Sequence, residues 1–248
     1  MGCLKMKFHS KLLSKIYGIY IINVFVICSI FSLIGAFFLP TLKLRRIWVK
    51  KMANSVFFLS GIKLEIEGLN NIPNVHTIIV ANHASYIDGI ILHAVLPVKF
   101  TFVIKSEMKN VPLANFLFKR VGSRYVERFK PKGAYRDARK LIKAGTEGES
   151  LAIFPEGTFT EKKGLDKFRA GAFLTAIKSN MPIVPLVIQG SREILPANKY
   201  LPVKGALKIK VLKSINTKDG IKMSSKELKD IVRKKILDTL DEPDLLVK

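Results

Sequence analysis

The chain has 248 residues, of which 48% are hydrophobic, enough to bury one sizeable α/β domain and too apolar for a disordered chain. Its 42 lysines and arginines against 19 acids give a formal net charge of +23, so a polyanion is the expected partner, either nucleic acid or an anionic membrane surface. The two cysteines, Cys3 and Cys28, exclude a disulfide framework and a paired thiolate metal site, and they fit a reducing compartment.

Residues Ile16 to Leu39 contain no charged side chain, and as a helix they would extend about 36 Å against a hydrocarbon core of about 30 Å. Lys5, Lys7, Lys11 and Lys15 precede the run; Lys43, Arg45, Arg46 and Lys50 follow it. The run is too long for the core of a signal peptide, and no small-x-small cleavage site follows it. Positive charge on both flanks leaves the orientation open, and a membrane span and a helical pair dipping into one leaflet both fit. Leu42–Leu59 predicts a second helix, with Leu44, Trp48, Met52, Val56 and Leu59 on one side and Lys43, Arg46, Lys50 and Lys51 on the other. Such a helix suits a headgroup layer, where Lys43, Arg45 and Arg46 would meet anionic lipids; it suits equally a core-packing helix with a solvated basic face. No acid occurs before Glu65. Residues 1–60 therefore form the expected membrane-binding helical segment, and 61–248 the expected α/β domain.

From Gly61 onward short apolar runs alternate with helical patterns. Strands are predicted at Thr77–Val80, Phe100–Ile104, Arg124–Val126, Leu151–Phe154, Ile183–Ile188 and Leu207–Leu212, and helices at Lys132–Ala144 and Ala170–Ser179. That alternation predicts a single domain with a largely parallel central sheet flanked by helices. Ser224 and Glu227 have capping-box spacing at the start of a final helix reaching Leu240.

Four places carry chemistry. In TIIVANHASYIDGIIL (Thr77–Leu92) a strand ends at Asn82-His83, where open α/β sheets place ligands, and Ser85 is positioned to cap the next helix. Asp88 has the spacing of a capping-box acid; it could also accept a hydrogen bond from His83 and stabilise the imidazolium formed on proton abstraction. In LAIFPEGTFT (Leu151–Thr160) a strand enters a tight turn in which Gly157 permits close backbone approach and Glu156 carries a carboxylate, or simply an exposed turn acid. GSRYVER (Gly122–Arg128) brackets a short strand with Arg124 and Arg128, suited to phosphate or to a solvated sheet edge. Lys105 is a further cation at a strand end.

In this order, Asn82-His83-x4-Asp88, Gly122-x-x-Tyr125-Val126-x-Arg128, Phe154-Pro155-Glu156-Gly157-Thr158 and Pro182-Ile183-Val184-Pro185 resemble the four motifs of the glycerolipid acyltransferase family, nearest to its bacterial 1-acylglycerol-3-phosphate acyltransferase branch. The resemblance implies that His83 is the general base and Asp88 its orienting partner. It implies that Lys105 and Arg128 hold the acceptor phosphate, with Glu156, Gly157 and Thr158 shaping that pocket and Pro182–Pro185 lining the acyl side of the cleft. It also implies an acyl-CoA or acyl carrier protein donor, a lysophospholipid acceptor, no cofactor, and a bacterial inner-membrane location with the domain facing the cytoplasm. The third motif usually continues Gly-Thr-Arg, and here the arginine position is Phe159. That departure opens a different lyso-lipid or an amino-acid lipid as the alternative acceptor. The absence of a domain cysteine or G-x-S-x-G elbow agrees with direct transfer. No metal is expected, since His9, His76, His83 and His93 form no HExxH pattern. Nucleic acid is not expected either, because no aromatic-basic interleaving or DNA-reading helix is present.

Overall fold

A computed structural model describes residues 2–127, 131–217 and 223–247. Two helices begin the chain, α1 (Gly2–Phe38) and α2 (Leu42–Ser60). The break between them follows from Pro40, which offers no N–H to a helical ladder and disfavours helical geometry at Leu39. Thr41 restarts the helix, its hydroxyl accepting from Leu44 N–H at 3.3 Å, and Gly61 ends it in the left-handed region at φ 68°. The two helices run back alongside each other. A notch at Gly35 receives the Trp48 ring, where an added Cβ would lie 2.1 Å from the indole Cδ1, and the indole N–H donates to Phe31 O at 2.7 Å.

The predicted stripe of α2 is corrected by this packing. The buried residues are Val49, Ala53, Val56, Phe57 and Ser60, while Leu44 and Leu59 are exposed. The reason is that α2 is covered on two sides, by α1 and by the domain. Nor are all its cations solvated: Lys43 and Lys51 are exposed, but Arg46 and Lys50 are engaged by the domain. Arg46 reaches the domain, donating to Val121 O at 2.9 Å and to Thr101 Oγ1 at 2.8 Å, and Lys50 donates to Val95 O and Leu96 O at 3.1 and 2.8 Å. Arg45 caps the end of the first helix through Leu39 O and Pro40 O, both at 2.7 Å. Of the three cations assigned to lipid, Lys43 alone is exposed.

The domain follows as β1 (Lys63–Glu67), β2 (Ile78–Ala81), α3 (Asp88–Val95), β3 (Phe100–Lys105), α4 (Pro112–Arg120), β4 (Arg124–Val126), α5 (Pro131–Thr146), β5 (Ser150–Ile153), α6 (Gly171–Lys178), β6 (Ile183–Gln189), α7 (Ser191–Ile194), β7 (Ala206–Val211) and α8 (Ser225–Leu240). The described strands form one seven-stranded sheet in the order β1-β7-β6-β2-β5-β3-β4, parallel throughout except where β6 meets β7. Side-chain alternation splits the core into two layers. Ile79, Ala81, Val184, Leu186 and Ile188 face α2 and α3, whereas Ile78, Val80, Ile183 and Val187 face α6 and α8. Each fully buried branched side chain contributes about 1.5–3 kcal/mol. The predicted capping box at Ser224 and Glu227 is present.

Besides the one-turn helix α7, two elements were not anticipated. KLEIE forms the edge strand β1, paired in parallel with β7 from Lys63↔Ala206 to Glu67↔Lys210. Pro112–Arg120 forms α4, which opens with proline at its first position. Ser85 is also corrected as a cap: α3 begins at Asp88 with Ile87 at the cap position and no side-chain cap bond. A turn at 85–87 intervenes, closed by Asp88 N–H to Ser85 O at 3.3 Å.

Candidate active site

The sheet ends where the chemistry-bearing residues begin. Past Ala81 the ladder between β2 and β6 is continued by a side chain: Asn82 accepts from Ile188 N–H at 2.8 Å and donates to Ile188 O at 2.9 Å. This amide fixes the direction of the next residue, His83. Ser85 pins the far side of the same turn by donating to Leu195 O at 2.6 Å.

Asp88 is fully buried, and its Oδ2 gathers three donors: Ala84 N–H at 2.6 Å, Ser85 N–H at 2.8 Å and the His83 ring at 2.9 Å. An oxygen already accepting two backbone N–H groups is an acceptor toward the ring as well. His83 Nδ1 therefore carries the proton, and Nε2 presents its lone pair. The other oxygen, Oδ1, is buried with no hydrogen-bond partner among the described residues. So Asp88 holds the preceding turn and the histidine together, and it does so without capping α3.

The next strand brings the second motif against the first. Glu156, on the turn after β5, is buried and accepts His83 N–H at 2.7 Å with one oxygen and Asp166 N–H at 3.0 Å with the other. Burial is the main cause that pushes its carboxyl up to about 8, outweighing both N–H donors. Its carboxyl group thus faces backbone in two directions. Gly157 has φ 82°, and a Cβ there would lie 2.7 Å from Arg169 Nε, so the turn requires glycine. Thr158 is exposed.

Aromatic rings enclose the histidine. Phe154 stacks on it at 4.2 Å between centroids, Phe159 meets its edge at 4.6 Å, and Tyr86 meets Phe159 at 4.7 Å. The His83 side chain retains 16% exposure. Sequence reasoning read Phe159 as a missing cation, not as a ring in contact with the base.

The other predicted residues divide. Carrying the registers Val80↔Ile153 and Phe102↔Ala152 onward sets Lys105 level with Asn82, two strands away and exposed. At the usual strand spacing this is roughly 10 Å, on the same edge of the sheet. Arg124 is held by the Glu149 carboxylate, which raises the pKa of the guanidinium, and so is not directed at the cleft. Arg128 lies outside the described residues. Pro182–Pro185 sits lower than anticipated: Ile183–Pro185 pair with Ile78–Val80, and Ile183 and Val184 are wholly buried in the two core layers. The stretch builds the sheet beneath the site and does not line the cleft.

The sheet and its ends define an α/β protein carrying a hydrogen-bonded His–Asp pair at the C-terminal edge of adjacent parallel strands. The chain belongs to the acyltransferase family, whose profile matches residues 63–189. It is 28% identical over 185 residues to the 1-acyl-sn-glycerol-3-phosphate acyltransferase of Saccharomyces cerevisiae, covering 73% of this chain and 61% of that protein. The chloroplastic 1-acyl-sn-glycerol-3-phosphate acyltransferase LPAT1 of Arabidopsis thaliana is 28% identical over 60% of this chain and 42% of its own. The chain thus spans less than two thirds of these two relatives. It is 26% identical to a probable 1-acyl-sn-glycerol-3-phosphate acyltransferase of Mycoplasma pneumoniae, over 79% of this chain and 77% of that one. The crystal structure of the 1-acyl-sn-glycerophosphate (LPA) acyltransferase PlsC from Thermotoga maritima has the same fold, with a TM-score of 0.74 over 92% of this chain and 93% of that chain at 23% identity.

Proposed function

We propose that the protein transfers a fatty acyl group from an acyl thioester to the sn-2 hydroxyl of 1-acyl-sn-glycerol-3-phosphate, giving phosphatidate. The observation that carries this reading is the His83–Asp88 pair, with Nε2 free to take a proton at the edge of the sheet. His83 Nε2 removes the acceptor's hydroxyl proton as its oxygen attacks the thioester carbonyl carbon. The tetrahedral intermediate collapses, the C–S bond breaks, and the imidazolium returns its proton to the departing thiolate. Asp88 stabilises the transient imidazolium, and the stacked Phe154 ring adds its π-face. Lys105 is within side-chain reach of an acceptor phosphate placed over this edge. Arg128 is the second cation in this reading, and no cofactor is required. Coenzyme A and acyl carrier protein both supply the thioester, and each is tested as donor.

Phe159 favours a second reading in the same class, an acceptor lyso-lipid or amino-acid lipid with less charge near the base, because an aromatic ring adjoins His83 there.

The enzyme would work at a membrane. Helix α1 contains one stretch, Leu12–Phe38, long and apolar enough to cross a bilayer. Yet α1 is fastened along its length: Tyr17 donates to Ser60 O at 2.8 Å, and Arg120 of the domain donates to Ala36 O at 2.6 Å. Its uncovered face, including Ile19, Ile27, Ile30 and Phe37, would then enter one leaflet, with the domain at the cytoplasmic surface where thioester donors are made. Anionic lipids and the net charge of +23 would hold it there.

The test is acyl transfer from acyl-CoA and from acyl carrier protein to lysophosphatidate in vesicles, comparing the natural chain with His83→Ala. Phosphatidate formation lost in the variant supports both base and acceptor. No transfer by the natural chain with either donor overturns the lysophosphatidate reading and turns to the alternative acceptors.

A further inference from the structure

The loop between β5 and α6, residues 154–170, carries Glu156, Gly157 and Phe159 past the base, and most of its restraint comes from the far end of the sequence. Beyond α8 the chain turns at Asp241, in left-handed geometry at φ 59°, and runs back beside the loop. There Leu165 N–H donates to Pro243 O at 2.9 Å, and Leu245 N–H donates to Leu165 O at 3.2 Å. These two bonds make a one-residue parallel bridge. Glu242 adds a side chain, accepting Gly164 N–H at 2.9 Å and pairing with Arg192 at 3.2 Å. Arg192 in turn donates to Thr160 O at 2.9 Å, so the pair grips the loop at two points. Both side chains of this pair are nearly enclosed, at 11% and 10% exposure, where an ion pair is screened little. Arg233 of α8 completes the clamp, donating to Leu165 O at 2.8 Å and Asp166 O at 3.1 Å while holding Asp244.

The residue next to the clamped Leu165 is Asp166, whose N–H holds one oxygen of Glu156; the other oxygen holds His83 N–H. An unbroken series of short contacts therefore links the C-terminal segment to the backbone of the base.

We propose that the C-terminal segment Glu242–Leu245 is a positioning element for the acyl-transfer site, with Glu242 and Arg192 setting the loop against which Glu156 fixes His83. Arg192, Arg233 and Glu242–Leu245 all lie outside the matched family region, while the loop residues they grip, Thr160 and Gly164–Asp166, lie within it. The proposal rests on the acyltransferase reading for its effect on turnover, but its structural half stands without it. Glu242 acts at a distance and touches no reacting atom. Misplacing a base by about an ångström costs on the order of 100-fold in rate, whereas substrate affinity depends on it much less.

The experiment uses the full chain in vesicles with Glu242→Ala and, because that variant leaves Arg192 uncompensated, also Glu242→Gln, which keeps an acceptor for Gly164. Amide hydrogen exchange and acyl transfer are measured on each. Glu242→Ala is expected to speed exchange at Gly164–Asp166 and His83 while β2, β5 and β6 stay protected. It is also expected to lower kcat on the order of 10- to 100-fold with KM for both substrates nearly unchanged. Glu242→Gln should recover part of each change. Uniformly faster exchange across the sheet, or a selectively loosened loop with unaltered kcat, would overturn the proposal. If the natural chain fails to acylate lysophosphatidate, the function is wrong, and the exchange pattern alone decides whether the segment holds the loop.

Discussion

Glu156 holds the two motif loops together, and its chemistry sets a pH dependence. Its ordinary carboxyl value of 4.5 is raised to about 8 by burial, so the folded chain prefers the protonated form. The stability gained from that preference is complete below pH 4.5 and is lost as pH rises through 8. The limiting slope is about 1.4 kcal/mol per pH unit. Thermal melts from pH 5 to 9 should show the natural chain losing stability relative to Glu156→Gln, which has no proton to release; parallel curves would refute the assignment. Phe159 is the other residue with a sharp expectation. Replacing it with arginine would put a cation where acceptor phosphate is expected and beside the histidine that becomes cationic in the proposed transfer. Phe159→Arg should lower KM for lysophosphatidate roughly tenfold, at about 1.4 kcal/mol for a charge-assisted bond. It should also lower kcat. Steady-state kinetics over a range of acceptor concentrations separates the two effects. His83 and Gly157 were legible because each follows a strand end, and Asp88 because it stands in the first turn of the next helix. The bridge made by Glu156 was not, since its second partner, Asp166, is ten residues on and donates through a backbone N–H that any residue but proline would supply.

At the scale of elements, α2 joins the apolar helix to the α/β domain, and its two kinds of cation should behave oppositely. Arg46 is partly buried, its pKa lowered first by desolvation, and it donates to Val98 O, Lys99 O, Thr101 Oγ1 and Val121 O. Arg46→Ala leaves those acceptors incompletely satisfied and should cost about 1–3 kcal/mol for each one that water cannot reach. Lys43 is exposed. Lys43→Glu should leave the melting temperature unchanged and weaken binding to anionic vesicles by about 1 kcal/mol or more. Vesicle sedimentation together with thermal melts checks both, and a destabilised Lys43→Glu or an intact Arg46→Ala would reverse the assignment. Sequence periodicity found this helix but placed its buried stripe wrongly, because an amphipathic pattern assumes one apolar partner and α2 has two. The same logic explains β1, whose KLEIE sequence lies at a sheet edge with largely exposed side chains and lacks the apolar run that revealed the inner strands. The inner strands β2, β5 and β6 were readable for the converse reason, being buried on both faces.

For the whole molecule, the question is on which side the N-terminus lies. With α1 bonded to the end of α2 at Tyr17, packed into the domain core at Ile21 and bonded to the domain at Ala36, a crossing would have to carry part of the domain into the hydrocarbon. Membrane-impermeant labelling of a single cysteine at Lys11 and another at Lys199, in a background lacking Cys3 and Cys28, should report the same side of sealed vesicles. Opposite sides would show a span. An α/β domain of this kind moored edgewise would not wait for its acceptor to escape into water. On the proposed one-leaflet seating of α1, encounter would be two-dimensional, so turnover should follow the mole fraction of acceptor among surrounding lipids and fall when inert phospholipid dilutes it at constant total acceptor. The same seating would return the product to the leaflet in which the acceptor arrived, so phosphatidate would accumulate on one side of the bilayer until something else moves it across.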